Sequence, residues 1–257
     1  MEDSLSLKNK NILITGVSRP SGIGTAIAKT CVRAGANVII HGNPNYDAER
    51  EYSDASDSFY TDLAEEYNLR AIAPSDLSIP DEPAKVITRA RESLGYLDGL
   101  ILNHAYSVNA DLFDCTAENI DNHFNINVRA SMLMIRAFAK QVDCDRGGVI
   151  TLFTSGQYLG AMTDEIAYAV SKEAIRGLCT QAAAALAPHN IRVNCINPGA
   201  TDTNYLTGEA YQRVAKMFPA RRWGTPEDAA KLVHFLHSNY ASWIKGQTIA
   251  SEGGFQR

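Results

Sequence analysis

Residues 10–35 read KNILITGVSRPSGIGTAIAKTCVRAG, and this stretch decides the fold. Its apolar, β-branched run NILIT predicts a strand, and the run after the last loop glycine predicts a helix that Gly35 ends. The loop between them contains Gly16, Gly22 and Gly24. A strand, a glycine loop and a helix in this order place backbone N–H groups at a helix N-terminus, where the helix dipole favours a pyrophosphate. The stretch therefore predicts a nucleotide-binding loop.

The rest of the chain repeats this pattern of strand and helix. Six further strands are predicted at the runs VII, RAIA, LIL, VITLF, RVNCI and TIA, and most segments between them have helical periodicity. This alternation predicts a parallel sheet with right-handed crossovers and helices on both faces. We therefore predict the α/β class: a single-domain Rossmann fold over residues 1–257, built on a doubly wound, seven-stranded parallel sheet.

Two long helices are predicted in the second half of the chain. One begins near Tyr168 and is stopped by Pro188, which cannot continue a helix. The other runs from about Thr116 to Gln141, and its apolar residues recur at steps of three and four. That spacing predicts a buried stripe formed by Ile120, Phe124, Val128, Met132, Ile135 and Ala139.

The segment between the second and third strands is acidic. Phe59, Leu63 and Tyr67 at four-residue steps predict a helix with an inward apolar face and charges that face water, so no chemistry is expected there. Against Arg50 alone, the acidic residues are Asp47, Glu49, Glu51, Asp54, Asp57, Asp62, Glu65 and Glu66.

Tyr168 and Lys172 form a candidate proton-transfer pair. Residues four apart lie on one face of a helix, so the Lys172 ammonium can lie beneath the Tyr168 phenol. A nearby cation stabilises a phenolate, which lowers a tyrosine pKa from its ordinary value of about 10. The phenol can then act as an acid or base near neutral pH.

The glycine loop and this pair together resemble the short-chain dehydrogenase/reductase family, and nearly the full chain takes part. The family's Thr-Gly-x-x-x-Gly-x-Gly turn corresponds to residues 15–24, with five residues between the first two glycines in place of three. Its Asn-Asn-Ala-Gly turn is matched in part by residues 103–106, NHAY, where His104 and Tyr106 are departures. The stretches RRWGTPEDAA and IKGQTIASEGG resemble the family's C-terminal helix start and last strand.

The resemblance implies four catalytic residues, with Ser155 placed thirteen residues before Tyr168 as in the family. Ser155 would donate a hydrogen bond to the substrate oxygen and Tyr168 would deliver the proton. Lys172 would lower the pKa of Tyr168 and hold the nicotinamide ribose, and Asn127 would position a water that refills the proton through Lys172.

The resemblance also implies the cofactor contacts. Asp76 resembles the family's adenine-side Asp, and Thr203 lies where the family contacts the carboxamide or phosphate. The full expected set is Gly16, Ser18, Arg19, Gly22, Ile23, Gly24, Asn43, Asp76, Leu77, Asn103, Tyr168, Lys172, Pro198, Gly199, Thr201 and Thr203.

The end of the second strand bears on the choice of cofactor. An acid there would bind the ribose hydroxyls of NAD, whereas a nearby Arg would favour the 2′-phosphate of NADP. The sequence has Gly42 and Asn43 at this point and Arg19 in the enlarged loop. We therefore expect NADP(H) to be favoured over NAD(H), although the acidic segment that follows lowers the local potential.

The expected reaction is the interconversion of a carbonyl and a secondary alcohol, and the chain most resembles 3-oxoacyl-carrier-protein reductase-like members. A substrate lid is expected at residues 200–224, with Tyr205, Leu206, Met217 and Phe218 as an apolar wall. The enlarged glycine loop also suits an enoyl-thioester reductase, but that group spaces its Tyr and Lys more widely. A third hypothesis is a regulator that senses a dinucleotide without turnover. An extended sugar-nucleotide epimerase would need a larger C-terminal domain.

Composition sets further bounds. A net charge of −5 argues against a nucleic-acid partner, and no apolar run approaches a membrane span. No signal peptide is visible, and Cys31, Cys115, Cys144, Cys179 and Cys195 contain no C-x-x-C pair, so we expect a reducing, cytoplasmic location and no metal site. The expected partners are a small-molecule substrate and further copies of the chain, in a dimer or tetramer.

Overall fold

Seven parallel strands form one sheet in the part of the chain that the computed structural model describes, residues 5–49, 54, 58–204 and 206–255. The strand order is β3-β2-β1-β4-β5-β6-β7, so the connections wind in opposite directions from β1. The predicted fold class is confirmed. The strands are β1 (Asn11–Thr15), β2 (Asn37–His41), β3 (Arg70–Ala71), β4 (Gly99–Leu102), β5 (Gly148–Phe153), β6 (Ile191–Asn197) and β7 (Thr248–Ala250).

Helices cover both faces of this sheet. Across the described residues they are α1 (Ile23–Arg33), α2 (Pro44–Glu49), α3 (Phe59–Glu66), α4 (Glu82–Leu94), α5 (Ala117–His123), α6 (Ser131–Ala139), α7 (Ile166–Leu186), α8 (Gly208–Lys216) and α9 (Pro226–His237). Thr225 caps α9 in a reciprocal capping box with Asp228, as a Thr-Pro-Glu-Asp sequence favours.

The central strands are buried on both faces, which explains why they read as apolar runs. Ile12 and Ile14 of β1 pack on the face that carries α1 and α9. Leu13 packs on the other face with Leu100 and Val193, beneath α4, α6 and α7. The alternation of β1 side chains therefore links the two halves of the core.

The long helix expected from Thr116 to Gln141 is not continuous. A π-helical segment, Phe124–Ala130, separates α5 from α6. Its wider turn changes the helical register, so Ile120 and Met132 are 43% and 51% exposed. The predicted stripe was therefore wrong at these two positions, and Asn127 faces the interior instead.

The acidic segment also differs from expectation. Tyr60 and Leu63 of α3 face the core as an amphipathic helix requires. However, Asp47 on α2 is buried and Asp54 pairs with Arg19, so these two carboxylates do not face water. The expectation for Arg50, Glu51 and Asp57 lies outside the described residues.

The fold brings the candidate site to the carboxyl ends of the strands. Segments after β1, β2, β3, β4, β5 and β6 carry the residues singled out above, and β1 and β4 flank the point where the winding direction changes. Among the described helices, none is both long enough and apolar enough to cross a bilayer.

Candidate active site

The glycine turn leaves the start of α1 open toward a cleft. Gly22 is the N-cap of this helix, and no side chain caps its backbone N–H groups. Gly16 has a φ of 71°, and a Cβ there would lie 2.8 Å from the Cα atom of His104. A Cβ on Gly24 would overlap the carbonyl oxygen of Gly16. The turn is thus tightly packed against its neighbours and offers its N–H groups to an anion.

A cavity of about 260 Å³ lies above this turn. Ten of the expected cofactor contacts line it: Gly16, Ser18, Arg19, Gly22, Ile23, Asn43, Asp76, Leu77, Asn103 and Thr203. These residues come from segments that follow five different strands, β1, β2, β3, β4 and β6, which only the folded sheet brings together.

The chemistry of the lining fits a dinucleotide. Uncapped N–H groups suit a pyrophosphate, and the Asn103 side chain fixes the turn by donating to the carbonyl oxygen of Gly16 at 2.9 Å. Asp76 and Ala105 also line the cavity. The lining therefore suits the adenosine and pyrophosphate parts of a dinucleotide, while Tyr168 and Lys172 are not among the lining residues.

Other expected contacts lie outside the cavity lining. Gly24 lies beneath the turn, where it allows α1 to approach β1. Thr201 is 6% exposed, and its hydroxyl lies 3.4 and 3.3 Å from the carbonyl oxygens of Pro198 and Gly199. These three residues form the turn after β6, which brings the neighbouring Thr203 to the cavity.

The extra residues of the glycine loop form a bridge. Arg19 donates to the carbonyl oxygen of Thr203 at 3.0 Å and to Asp54 at 3.1 Å. Ser21 donates its backbone N–H to Asp54 at 2.9 Å and its hydroxyl to the same Thr203 oxygen at 3.2 Å. The insertion therefore joins the acidic segment to the start of the expected lid.

Tyr168 and Lys172 lie together near the start of α7. The Lys172 Nζ atom lies 5.5 Å from the centroid of the Tyr168 ring and donates to the carbonyl oxygen of Phe153 at 3.1 Å. Only 3% of Lys172 is exposed, and burial lowers the pKa of its ammonium to about 8. No ion pair to Lys172 is formed within the described part of the chain. Its charge is therefore available to stabilise a phenolate.

Ser155 lies in an ordered turn after β5. Its backbone N–H donates to the Gln157 side chain at 3.2 Å, and Gln157 in turn donates to Thr154 at 3.0 Å and to Glu173 at 2.9 Å. The Thr154 hydroxyl then donates to the carbonyl oxygen of Lys172 at 2.8 Å. These contacts tie the Ser155 turn to α7, the helix that carries Tyr168 and Lys172.

Asn127 occupies the π-helical segment and clamps a neighbouring loop. Its Oδ1 atom accepts the N–H of Tyr106 at 2.7 Å. Its Nδ2 atom donates to the carbonyl oxygen of Tyr106 at 3.0 Å and to the Ser171 hydroxyl at 2.9 Å. Both amide hydrogens are thus in use, and Asn127 joins the β4 loop to the turn of α7 between Tyr168 and Lys172.

The sequence and the fold of this chain are similar to those of known oxidoreductases. A family model described as "Enoyl-(Acyl carrier protein) reductase" matches residues 16–256. "Uncharacterized oxidoreductase YjdA" of Bacillus subtilis is 34% identical over 97% of this chain and 98% of its own length. "Dehydrogenase/reductase SDR family member 4" of Mus musculus is 32% identical over 96% of this chain and 88% of its own length.

The chain belongs to the short-chain dehydrogenase/reductase family. A solved short chain dehydrogenase from Burkholderia cenocepacia, in complex with NADP, is 30% identical and superimposes with a TM-score of 0.82 over 96% of this chain and 98% of that one. This short-chain dehydrogenase/reductase is accordingly an NAD(P)-dependent oxidoreductase.

His104 is one of the two residues at which the turn of residues 103–106 differs from the family's Asn-Asn-Ala-Gly sequence. Its Nδ1 atom lies 2.7 Å from the Thr15 hydroxyl and its Nε2 atom 3.2 Å from the carbonyl oxygen of Ile126. The carbonyl needs a donor, so the ring proton is on Nε2. Burial, with the charge of Lys172, lowers the pKa of His104 to about 3. His104 is therefore a neutral link between β1 and the π-helical segment.

Tyr106, the second departure, lies in a row of rings that leads to Tyr168. Its centroid is 5.7 Å from that of Tyr46 and 4.8 Å from that of His123, which is 6.3 Å from that of Tyr168. The His123 Nδ1 atom contacts the carbonyl oxygen of Asn119 at 2.7 Å, and its Nε2 atom accepts the N–H of Val108 at 3.3 Å. This row of rings packs beside Tyr168.

Sequence reasoning missed several residues of the cavity lining: His41, Gly42, Tyr46, Asp47, Ser75, Ala105, Ser107 and Ile126. Gly42 had a detectable signal, since it follows a buried strand, and a Cβ there would overlap the carbonyl oxygen of Val17. Asp47 had no such signal because its place among other acids predicts a solvated residue.

Proposed function

We propose that this short-chain dehydrogenase/reductase interconverts a carbonyl and a secondary alcohol, with Asn127, Ser155, Tyr168 and Lys172 as its catalytic residues. The observation that carries the proposal is the buried Lys172 ammonium beside Tyr168, without a carboxylate partner in the described residues. When bound, NAD(P)(H) supplies or accepts the hydride.

Each residue has a defined part in the proposal. Lys172 lowers the pKa of the Tyr168 phenol by its charge, so that the phenol donates a proton to the substrate oxygen near neutral pH. The Ser155 hydroxyl has no hydrogen-bond partner among the described residues, and it donates to the same oxygen, where negative charge develops. Asn127 positions a water for the return of the proton, through its remaining acceptor capacity.

A 3-oxoacyl thioester is the first substrate class to test. The segment 200–224 would act as the lid of the single domain, with Leu206 and Met217 on its inner side. Phe218 packs in a small cluster with Ala215 and Trp223, so it anchors this segment, and Tyr205 lies outside the described residues. Exposed basic residues suit an acidic carrier protein or a phosphopantetheine arm: Arg213, Lys216, Arg221 and Arg222.

The second candidate is an enoyl-thioester reductase. The description of the matching family model favours it, as does the enlarged glycine loop. The three-residue gap between Tyr168 and Lys172 argues against it, because that group spaces the two residues more widely.

We also propose a homo-oligomer in the cytoplasm. Ile120, Met132 and Val170 are large apolar side chains exposed on α5, α6 and α7, which a second copy would cover. The five cysteines are all free, as in a reducing compartment.

The preference between the two dinucleotides belongs to this proposal as well. The expected preference for NADP(H) rests on Arg19 and on the absence of an acid directly after β2. Because Arg19 contacts the carboxylates of Asp47 and Asp54, its charge is offset, which weakens the argument for NADP(H).

The test of the proposed function is the oxidation of NADH and NADPH by the purified chain in the presence of 3-oxoacyl thioesters, enoyl thioesters, ketones and ketoses. The proposal expects turnover on a carbonyl compound and a hydroxy product. Turnover on enoyl thioesters alone would support the second candidate. Dinucleotide binding without turnover on any compound would contradict both and favour a dinucleotide-sensing regulator.

A further inference from the structure

Asp47 is a buried carboxylate with an unsatisfied oxygen. The residue is 6% exposed. Its Oδ1 atom lies 3.6 Å from the Nε atom of Arg19, while its Oδ2 atom has no hydrogen-bond partner among the described residues. Burial raises the pKa of this carboxyl, which the Ser18 hydroxyl and Arg19 oppose. A buried carboxylate oxygen without a donor is costly, so a ligand that supplies one is favoured here.

The position of Asp47 is fixed by α2, which turns back over the cavity after β2. Tyr46 holds this helix in place because its hydroxyl accepts the N–H of Ser107 at 3.1 Å, on the loop after β4. Asp47 then lines the cavity together with Ser18 and Asn43. The end of β2 is where a doubly wound sheet receives the adenosine ribose of a dinucleotide.

A second unsatisfied atom lies at the same end of the cavity. The Nδ1 atom of His41, the last residue of β2, is buried without a partner in the described residues, while its Nε2 atom contacts the Ser75 hydroxyl at 3.0 Å. Burial lowers the pKa of His41 to about 4, so the ring is neutral near pH 7 and adds no positive charge. Arg89 also lowers the pKa of His41, but its guanidinium is paired with Glu82 at 3.2 Å. Among the described residues, this end of the cavity therefore offers hydrogen-bonding atoms, and the cations named here are paired with carboxylates.

The charges around Asp47 disfavour a phosphate. Arg19 contacts Asp54 at 3.1 Å as well as Asp47, so one cation faces two carboxylates. A 2′-phosphate would add about two negative charges to a group whose formal sum is already negative. Ribose hydroxyls carry no charge and can donate to the Asp47 Oδ2 atom.

We propose, on the basis of the proposed dinucleotide-dependent function, that Asp47 binds the adenosine ribose hydroxyls and makes the chain select NAD(H) over NADP(H). Asp47 lies within a short helix beyond β2, and α2 and the Arg19 bridge together bring it to the ribose. Arg19 holds Asp47 and Asp54 in place. Because its charge is offset by these two carboxylates, it does not favour a 2′-phosphate.

The test is the affinity of the purified full chain for NADH and NADPH, measured by calorimetric titration without a second substrate. We expect NADH to bind at least about tenfold more tightly than NADPH. Asp47→Asn, which removes the charge and keeps the shape, should lower the NADH-to-NADPH affinity ratio by about tenfold or more. Asp62→Asn on exposed α3 removes the same charge away from the cavity and should leave the ratio unchanged.

The possible results distinguish a failure of the role proposed for Asp47 from a failure of the proposed oxidoreductase function. Tighter binding of NADPH by the unsubstituted chain, or an unchanged ratio in Asp47→Asn, would overturn the role of Asp47 and leave the oxidoreductase function standing. If neither dinucleotide binds the unsubstituted chain, the proposed function fails and the assignment fails with it. The affinities of the unsubstituted chain decide the preference even if the Asp47→Asn variant does not fold.

Discussion

Lys172, beside Tyr168, and Arg19, in the cofactor cavity, are both largely buried cations, but their partners differ. Lys172 donates to the neutral carbonyl oxygen of Phe153, whereas Arg19 contacts the carboxylates of Asp47 and Asp54. A cation without a counter-ion can stabilise a phenolate, while a cation between two carboxylates is already compensated. A buried cation therefore acts on a ligand according to its partners rather than its position alone.

The largest expected effect is a loss of turnover in Tyr168→Phe without a matching loss of dinucleotide affinity. Tyr168→Phe removes the proposed proton donor and keeps the ring that packs near His123. Turnover should fall by at least about a hundredfold, while dinucleotide affinity is largely retained. Steady-state kinetics and calorimetric titration on one preparation measure both. Unchanged turnover would remove Tyr168 from the catalytic group.

A second prediction concerns the glycine turn between β1 and α1. In Gly24→Ala the new Cβ overlaps the carbonyl oxygen of Gly16, so the unfolding free energy should fall by about 1–3 kcal/mol and dinucleotide affinity should fall with it. Gly177→Ala on α7 is the matched control, because a Cβ there meets no atom within 4 Å, and it should be neutral or stabilising by up to about 1 kcal/mol. Denaturant unfolding should separate the two variants, and equal values would contradict the tight packing of the turn.

The smallest expected effect is a change of the unfolding free energy and of the reaction rate with pH, as Lys172 loses its proton. Because the pKa of Lys172 is lowered to about 8, the native chain loses this proton while the unfolded chain keeps it up to the ordinary lysine pKa. This residue therefore makes the unfolding free energy rise with pH above about pH 8. Carbonyl reduction should fall over the same range, since neutral Lys172 no longer stabilises the phenolate. Unfolding and rate profiles measured in the same buffers test the two trends, and a rate that keeps rising well above pH 8 would contradict the role of Lys172.

Much of the fold was predictable because its signals are local. Apolar runs marked all seven strands, and glycine spacing marked the turn before α1. The proximity of Tyr168 and Lys172 follows from helical geometry, so the structure's placement of the two residues agrees with the prediction.

The parts that escaped prediction depend on contacts distant in sequence. The π-helical segment shifts the register between Ile120 and Met132, and regular spacing cannot reveal a widened turn. Asp47 is buried because α2 folds over the cavity and Arg19 reaches it from another loop. An acid in an acidic stretch looks solvated until its distant partner is known.

In the proposed function, Lys172, and not Arg19, is the cation that stabilises the Tyr168 phenolate. The most direct test is turnover at saturating dinucleotide and substrate in two matched variants, Lys172→Met and Arg19→Met. We expect turnover to fall by about a hundredfold or more in Lys172→Met, and to change by no more than about threefold in Arg19→Met. Near-normal turnover in Lys172→Met, or an equal loss in both variants, would contradict this role of Lys172.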